Sequence, residues 1–185
     1  MDELVRKAMQ KWPNVPDCYN WLGLDARGEF WMRDAQTQSA GAFQTGCAGS
    51  SAALKGSRVD HPALRRFMNR NYQADGRGCW YFQNGPQKVF VELEWAPLVC
   101  RVNESDPNQM LLHTGEIGQL LGILSDEAGV VYAEVRQGLA VVHSLDVYVV
   151  ADQIERSEWA LTSCLQAELP ERYGFVRSPA QLMGR

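Results

Sequence analysis

Apolar residues recur along this chain with two periods, and each marks a class of element. Between Asp2 and about Lys11, Leu4, Val5, Ala8 and Met9 fall at helical spacing, with Asp2 placed to cap the first turn. Trp12-Pro13 ends that segment, because the residue before a proline is driven out of the helical region. Trp21 to Leu24 and Glu29 to Arg33 then read as strands around the turn Asp25-Ala-Arg-Gly28, with Gly28 at positive φ. From Ala35 to about Gly56 small and polar residues keep no period, and Phe43 and Leu54 alone offer anchors. Residues 35–56 therefore read as a mobile loop or insertion. A second helix begins near Asp60-His-Pro, capped by Asp60, with Pro62 in its first turn. Leu64, Phe67, Met68 and Tyr72 form its apolar face, and Arg65, Arg66, Asn69 and Arg70 lie toward the other side.

Period two takes over next. Cys79 to Gln83 and Lys88 to Trp95 flank Asn84-Gly85-Pro86 and predict a hairpin. Val89, Val91, Leu93 and Trp95 share one face of its second strand; Lys88, Phe90, Glu92 and Glu94 share the other. Leu98 to Val102 reads as a third strand, and Asn103 to Asn108 as a linker. Beyond it come apolar runs at Met110–His113 and Leu120–Leu124, and strands at Val130–Val135 and Leu139–His143. A helix is expected within Asp146–Leu165, with Trp159, Leu161 and Leu165 buried, and a last strand at Tyr173–Val176. The expected fold class is α+β. An antiparallel, roll-like sheet with helices occupies residues 1–104, and a smaller, mostly-β subdomain with one helix occupies 105–185.

Composition narrows the function classes. A chain of 185 residues with 45% hydrophobic residues supports a real core. A net charge of −4 argues against general nucleic-acid binding, which needs a basic excess to displace counterions. No run is long enough for a membrane span, and the N-terminus lacks an apolar signal core. Cys18, Cys47, Cys79, Cys100 and Cys164 are odd in number and show no CxxC or zinc spacing. Buried thiols in a reducing cytoplasm follow. The sequence calls for no metal and no cofactor.

Several segments together resemble a proteobacterial family of unknown function: Lys11-Trp-Pro-Asn-Val-Pro16 with Trp21-Leu-Gly-Leu-Asp25, Gly78 to Gln87, Leu112 to Glu116, and Leu169 to Val176. The resemblance spans nearly the whole chain, and the 35–56 stretch is longer than it implies. The central block also resembles a second uncharacterised bacterial family through Leu64–Phe67, Asp75-Gly76, Trp80–Phe82 and Glu94-Trp-Ala-Pro97. That likeness implies an α/β roll followed by a small, mostly-β unit. Neither family brings an activity.

Candidate chemistry is sparse. His113, followed at once by Thr114, Gly115 and Glu116, would suit a general base, assisted by Glu92 or Glu94. These two glutamates lie about 7 Å apart along one strand face. The plainer interpretation is a solvated face beside Lys88, with Cys79 and Cys100 as structural thiols. Arg65, Arg66 and Arg70 would take phosphate or an acidic partner, and a solvated helix face accounts for them equally. A binding or regulatory module for a small ligand or a protein partner accounts best for the hairpin, where Asn84 and Gln87 place polar amides beside aromatic strands. Tyr81, His113 and Glu116 complete the expected binding residues, and homo-oligomerisation is compatible with them. An enzyme using His113 as base is the alternative. A third possibility, docking through exposed aromatics, requires a contiguous apolar patch of several hundred Å².

Overall fold

The computed structural model describes residues 2–47, 52–156 and 158–184, and the chain divides into two compact units. The first comprises residues 1–25, 29–94 and 175–185; the second comprises 26–28 and 95–174. The passage out of the first unit thus falls at 94/95. The predicted linker, Asn103 to Asn108, instead joins two paired strands, and the last eleven residues return to the first unit.

The first unit runs α1 (Glu3–Lys11), β1 (Cys18–Leu24), β2 (Phe30–Met32), α2 (Ala35–Ala40), α3 (Phe43–Cys47), β3 (Ser57–Arg58), α4 (Pro62–Arg70), β4 (Tyr72–Ala74), β5 (Trp80–Asn84) and β6 (Gln87–Leu93). Its six strands lie in the order β3-β2-β1-β6-β5-β4. The sheet is mixed, because β1 runs parallel to β6 while the other neighbours are antiparallel. The predicted hairpin forms with Asn84 opposite Gln87, so Gly85 and Pro86 alone make the turn. Gly85 takes φ +57°, the left-handed conformation that a two-residue hairpin turn needs.

Helix entries differ from the capping expected. The Asp2 side chain caps nothing; its carboxylate binds Arg70, 3.1 Å away. Asp60 pairs with Arg58, and His61 supplies the α4 cap, its Nδ1 accepting from the Leu64 N–H at 3.4 Å. The expected loop at 35–56 holds α2, α3 and a single 3-10 turn at Ala52–Leu54, while residues 48–51 lie outside the described residues. What organises this stretch is Arg33, 1% exposed. Its guanidinium donates to the carbonyls of Leu54 (3.2 Å), Thr37 (3.2 Å) and Gly41 and to Asn20 Oδ1. The buried guanidinium needs acceptors, and its planar donor fork finds three of them in main-chain carbonyls of this stretch.

The second unit contains β7 (Leu98–Val102), β8 (Gln109–Leu112), β9 (Ile117–Ser125), β10 (Val131–Val135), β11 (Gly138–Val142), α5 (Val147–Glu155), β12 (Leu161–Ser163) and α6 (Leu169–Tyr173). Strands β7 to β11 follow one another around a closed five-stranded barrel, sealed by the parallel pairing of β11 with β7. Closure leaves these strands no free edge, and β12 adds to β9 outside the ring. Cys100, Met110, Ala133 and Ala140 share one face of the ring at 0% exposure, and Tyr132, on the other face, is as fully buried. Two carboxylates brace it. Asp126 accepts from the N–H groups of Ala128 and Val130 and from the Tyr132 hydroxyl. Asp146 holds Arg101 at 2.7 Å and the Val102 N–H at 2.8 Å.

The helix expected within Asp146–Leu165 is α5; residues 161–163 form a strand, and Leu161 and Leu165, expected inside, are exposed, while Trp159 is half-buried. The predicted last strand at 173–176 is also absent. Gly174, at φ +64°, ends α6 in a left-handed cap, and Phe175 is buried. A short α7 (Pro179–Leu182) then closes the first unit. The α+β expectation holds: two sheets with few and short helices.

Candidate functional site

The first unit's sheet is covered differently on its two sides. On one, Phe82 and Val89 stand opposite each other, and Phe67 of α4 packs edge-on against Phe82 at 5.5 Å. Leu64 and Met68, one turn apart on α4, lean over the same surface. A groove of about 280 Å³ opens there, walled by α4 and floored by Leu22, Phe82 and Val89, with Asn84 and Gln87 at the hairpin end. Trp21, Met32 and Leu64 line it while remaining 50%, 57% and 39% exposed.

A bulge presents Trp21. Cys18 pairs with Val89 and Leu22 with Val91, so Tyr19, Asn20 and Trp21 together face the single residue Phe90. Asn20 takes φ +64°, which asparagine tolerates better than most residues. Tyr19 stacks on Phe90 at 4.6 Å, and Trp21 is re-aimed into the groove.

The opposite side is closed. A Cβ on Gly23 would lie 2.5 Å from the Phe43 ring, so glycine lets α3 seat that ring directly on β1. Glu92 pairs with Gly23 across the strands and is 2% exposed, not solvated as the alternation suggested. Its carboxylate accepts from the Ala180 N–H at 3.1 Å and so ties the C-terminal segment to β6. Burial pushes the Glu92 carboxyl up, against hydrogen bonds from Ser178, Ala180 and Gln44 and the charge of Arg33. Nearby, Asp25 is buried with Lys55 at 2.9 Å and the Trp31 indole N–H at 2.8 Å. Burial acts to raise Asp25, but these partners and the Glu29 N–H hold it below the usual carboxylate range.

The five expected binding residues separate. Asn84 and Gln87 share the groove, and Gln87 also donates to the Pro16 carbonyl at 3.0 Å. Tyr81 pairs with Phe90, on the face away from the groove, and is buried. Burial pushes its hydroxyl up, against a hydrogen bond from Gln73. His113 and Glu116 belong to the second unit. The His113 N–H donates to the Val99 carbonyl at 2.8 Å, and its Nδ1 accepts from the Val99 N–H at 3.2 Å. With Nδ1 accepting, the neutral ring carries its proton on Nε2, as a donor rather than a base. Glu116 is exposed at the β8–β9 turn.

Cys79 and Cys100 are buried as expected, and burial pushes the Cys100 thiol up to about 12. Cys18, Cys47 and Cys164 are half-buried. Among the described residues no group of three or more His, Cys, Asp or Glu side chains is placed to hold a metal ion.

Residues 1–180 match the model of DUF2944, Protein of unknown function (DUF2946). The chain belongs to this family. The expected membership of an uncharacterised family therefore holds, and the family brings no activity with it. No curated protein matches the chain. A similar solved structure is that of a DUF1285 family protein from Silicibacter pomeroyi DSS-3. It is 16% identical, covers 82% of this chain and 84% of its own, and has a TM-score of 0.47. Trp21, Met32, Leu64 and Met68 are among the groove residues that the sequence did not single out as a site. Their one signal was an apolar helix face at Leu64 and Met68, which a core explains as readily.

Proposed function

We propose that this DUF2944 protein is a non-catalytic docking module, whose first unit receives an apolar side chain from a protein partner. One observation carries this: three large apolar side chains, Trp21, Met32 and Leu64, stay exposed around a concave, paired-strand floor. Isolated surface apolar residues are ordinary, whereas a rim of them around a pocket marks a binding surface. Tryptophan is enriched among binding hot spots, and methionine adapts its shape to a guest. The volume of about 280 Å³ lies just under the roughly 300–1,000 Å³ usual for small-molecule sites, which favours a side chain over a larger metabolite. All five cysteines are unpaired, which supports a reducing, cytoplasmic setting. No helix among the described residues is long and apolar enough to cross a membrane.

Methionine-methyl NMR tests the groove with side-chain mimics. Indole or benzyl alcohol at millimolar concentration is expected to move the Met32 and Met68 signals while leaving Met110, inside the barrel, in place. Equal shifts at all methionines, or none, would remove the groove as a site.

A further inference from the structure

We infer that two copies of this chain pair through β12, the edge strand of the second unit, in a weak two-fold dimer. The surface is independent of the groove in the first unit. Among the described residues β12 has β9 as its one neighbouring strand, and Leu161, Thr162 and Ser163 are all exposed. The Cys164 N–H donates to the Ser125 carbonyl at 3.0 Å, so Cys164 and, two residues back, Thr162 turn their main-chain groups toward β9. Successive residues of a strand turn these groups to opposite sides, which leaves those of Leu161 and Ser163 facing outward. An outward row of N–H and C=O groups is a template for a further strand.

Edge strands are ordinarily guarded by charge, proline or a bulge. In the first unit, β3 carries Arg58, paired with Asp60, and β4 is bounded by Arg70 and Asp75. The stretch from Ala160 to Leu165 has no charge, proline or glycine. It is also complementary to itself. Antiparallel pairing about a two-fold axis at Thr162 sets Leu161 of each copy opposite Ser163 of the other, so the outward groups of both residues are paired. Thr162 meets Thr162, a favourable cross-strand pair, and no like charges are opposed. The same register puts Leu165 of one copy opposite Trp159 of the other. Leu165 is extended, at φ −99° and ψ 133°, and 52% exposed. By alternation it shares the face of Leu161 and hence of Ile123. On that face a cavity of about 240 Å³ is lined by Leu121, Ile123, Trp159 and Ala160, and by Asn108 and Glu158. Each copy thus offers a leucine and a hollow beside Trp159 for the leucine of the other, and this reciprocity selects a second copy over a foreign strand. A contact built on one short strand falls at the low end of interface sizes, under about 1,200 Å² in total, where association is transient.

Sedimentation velocity of the full chain from about 5 to about 500 µM, a range suited to a weak dimer, tests the pairing. The native chain is expected to pass from monomer toward dimer across it. Thr162→Lys sets like charges against each other at the axis and should weaken association about tenfold or more. Thr162→Glu should do the same, and an equimolar mixture of the two variants should dimerise again, because the opposed charges are then unlike. Ser163→Pro removes an N–H that faces away from β9, so it should weaken the dimer and leave the fold intact. Circular dichroism melts at low concentration check that each variant stays folded. A native chain that is monomeric at the highest concentration would overturn the proposal. So would a dimer that all three variants leave unchanged, which would place the contact on another surface. A Lys/Glu mixture that stays monomeric would remove the axis at Thr162, and the proposal with it.

Discussion

Glu92 and Arg33 show how much of this fold rests on two ionisable side chains inside it. Because burial raises the Glu92 pKa above its unfolded value, its contribution to stability is fully present below the ordinary glutamate range. It is lost as pH rises through the raised pKa. Glu92→Gln keeps an acceptor for the Ala180 N–H without the buried charge. The variant should match the native protein near pH 4 and exceed its stability at pH 7, as read from urea midpoints across that range. Arg33→Met should act in the opposite direction. It removes the donor to the carbonyls of the half-buried Leu54, Thr37 and Gly41, at about 1 kcal/mol for each hydrogen bond lost. A total loss of about 3 kcal/mol or more in chemical denaturation is expected, with faster amide exchange across residues 35–47. Neither role was legible in the sequence. Glu92 sits in clean alternation with Glu94, and nothing local says that a segment 88 residues later will cover it.

At the scale of elements, periodicity located most strands, and the exceptions share a cause. The β5–β6 hairpin, β7, β10 and β11 followed from alternation and turn residues, whereas β8 and β9 read only as apolar runs. Helices α2 and α3 were missed because they carry almost no apolar face; an Arg33 clamp and one phenylalanine hold them. Gly23→Ala probes that arrangement directly. The added methyl meets the Phe43 ring at 2.5 Å and should cost about 1–3 kcal/mol, measured by thermal unfolding. In the barrel, burial works to raise the Asp146 pKa, but the bonds from Arg101 and Val102 outweigh it and hold the carboxyl low. Its stabilisation is therefore present at neutral pH and lost as pH falls through that depressed value. Asp146→Asn should lower stability by about 1–3 kcal/mol at pH 7, with the difference narrowing in acid.

At the scale of the molecule, docking and folding separate. Trp21 and Met32 are half exposed, so replacing both with serine should change stability by no more than about 1 kcal/mol, as distant surface sites do. The same double variant should lose the methyl response of Met68 to indole. Collapse of the fold would mean instead that these side chains belong to the core.

Alone, the sequence determined the class of the molecule: α+β, globular, without a motif that names a reaction. It also located Asn84 and Gln87 at a two-residue turn, because both follow from local chemistry such as alternation, turn glycines and helix-breaking prolines. The tertiary structure decided which faces are buried and what meets across them. It put Glu92 inside and Tyr81 on the far face, turned Trp21 outward through a bulge, and closed five strands into a barrel. Burial depends on what packs over a residue, and here the covering segments lie far away in the chain. A groove is likewise a relation between β1, β2, β5, β6 and α4, so no single stretch of sequence contains it.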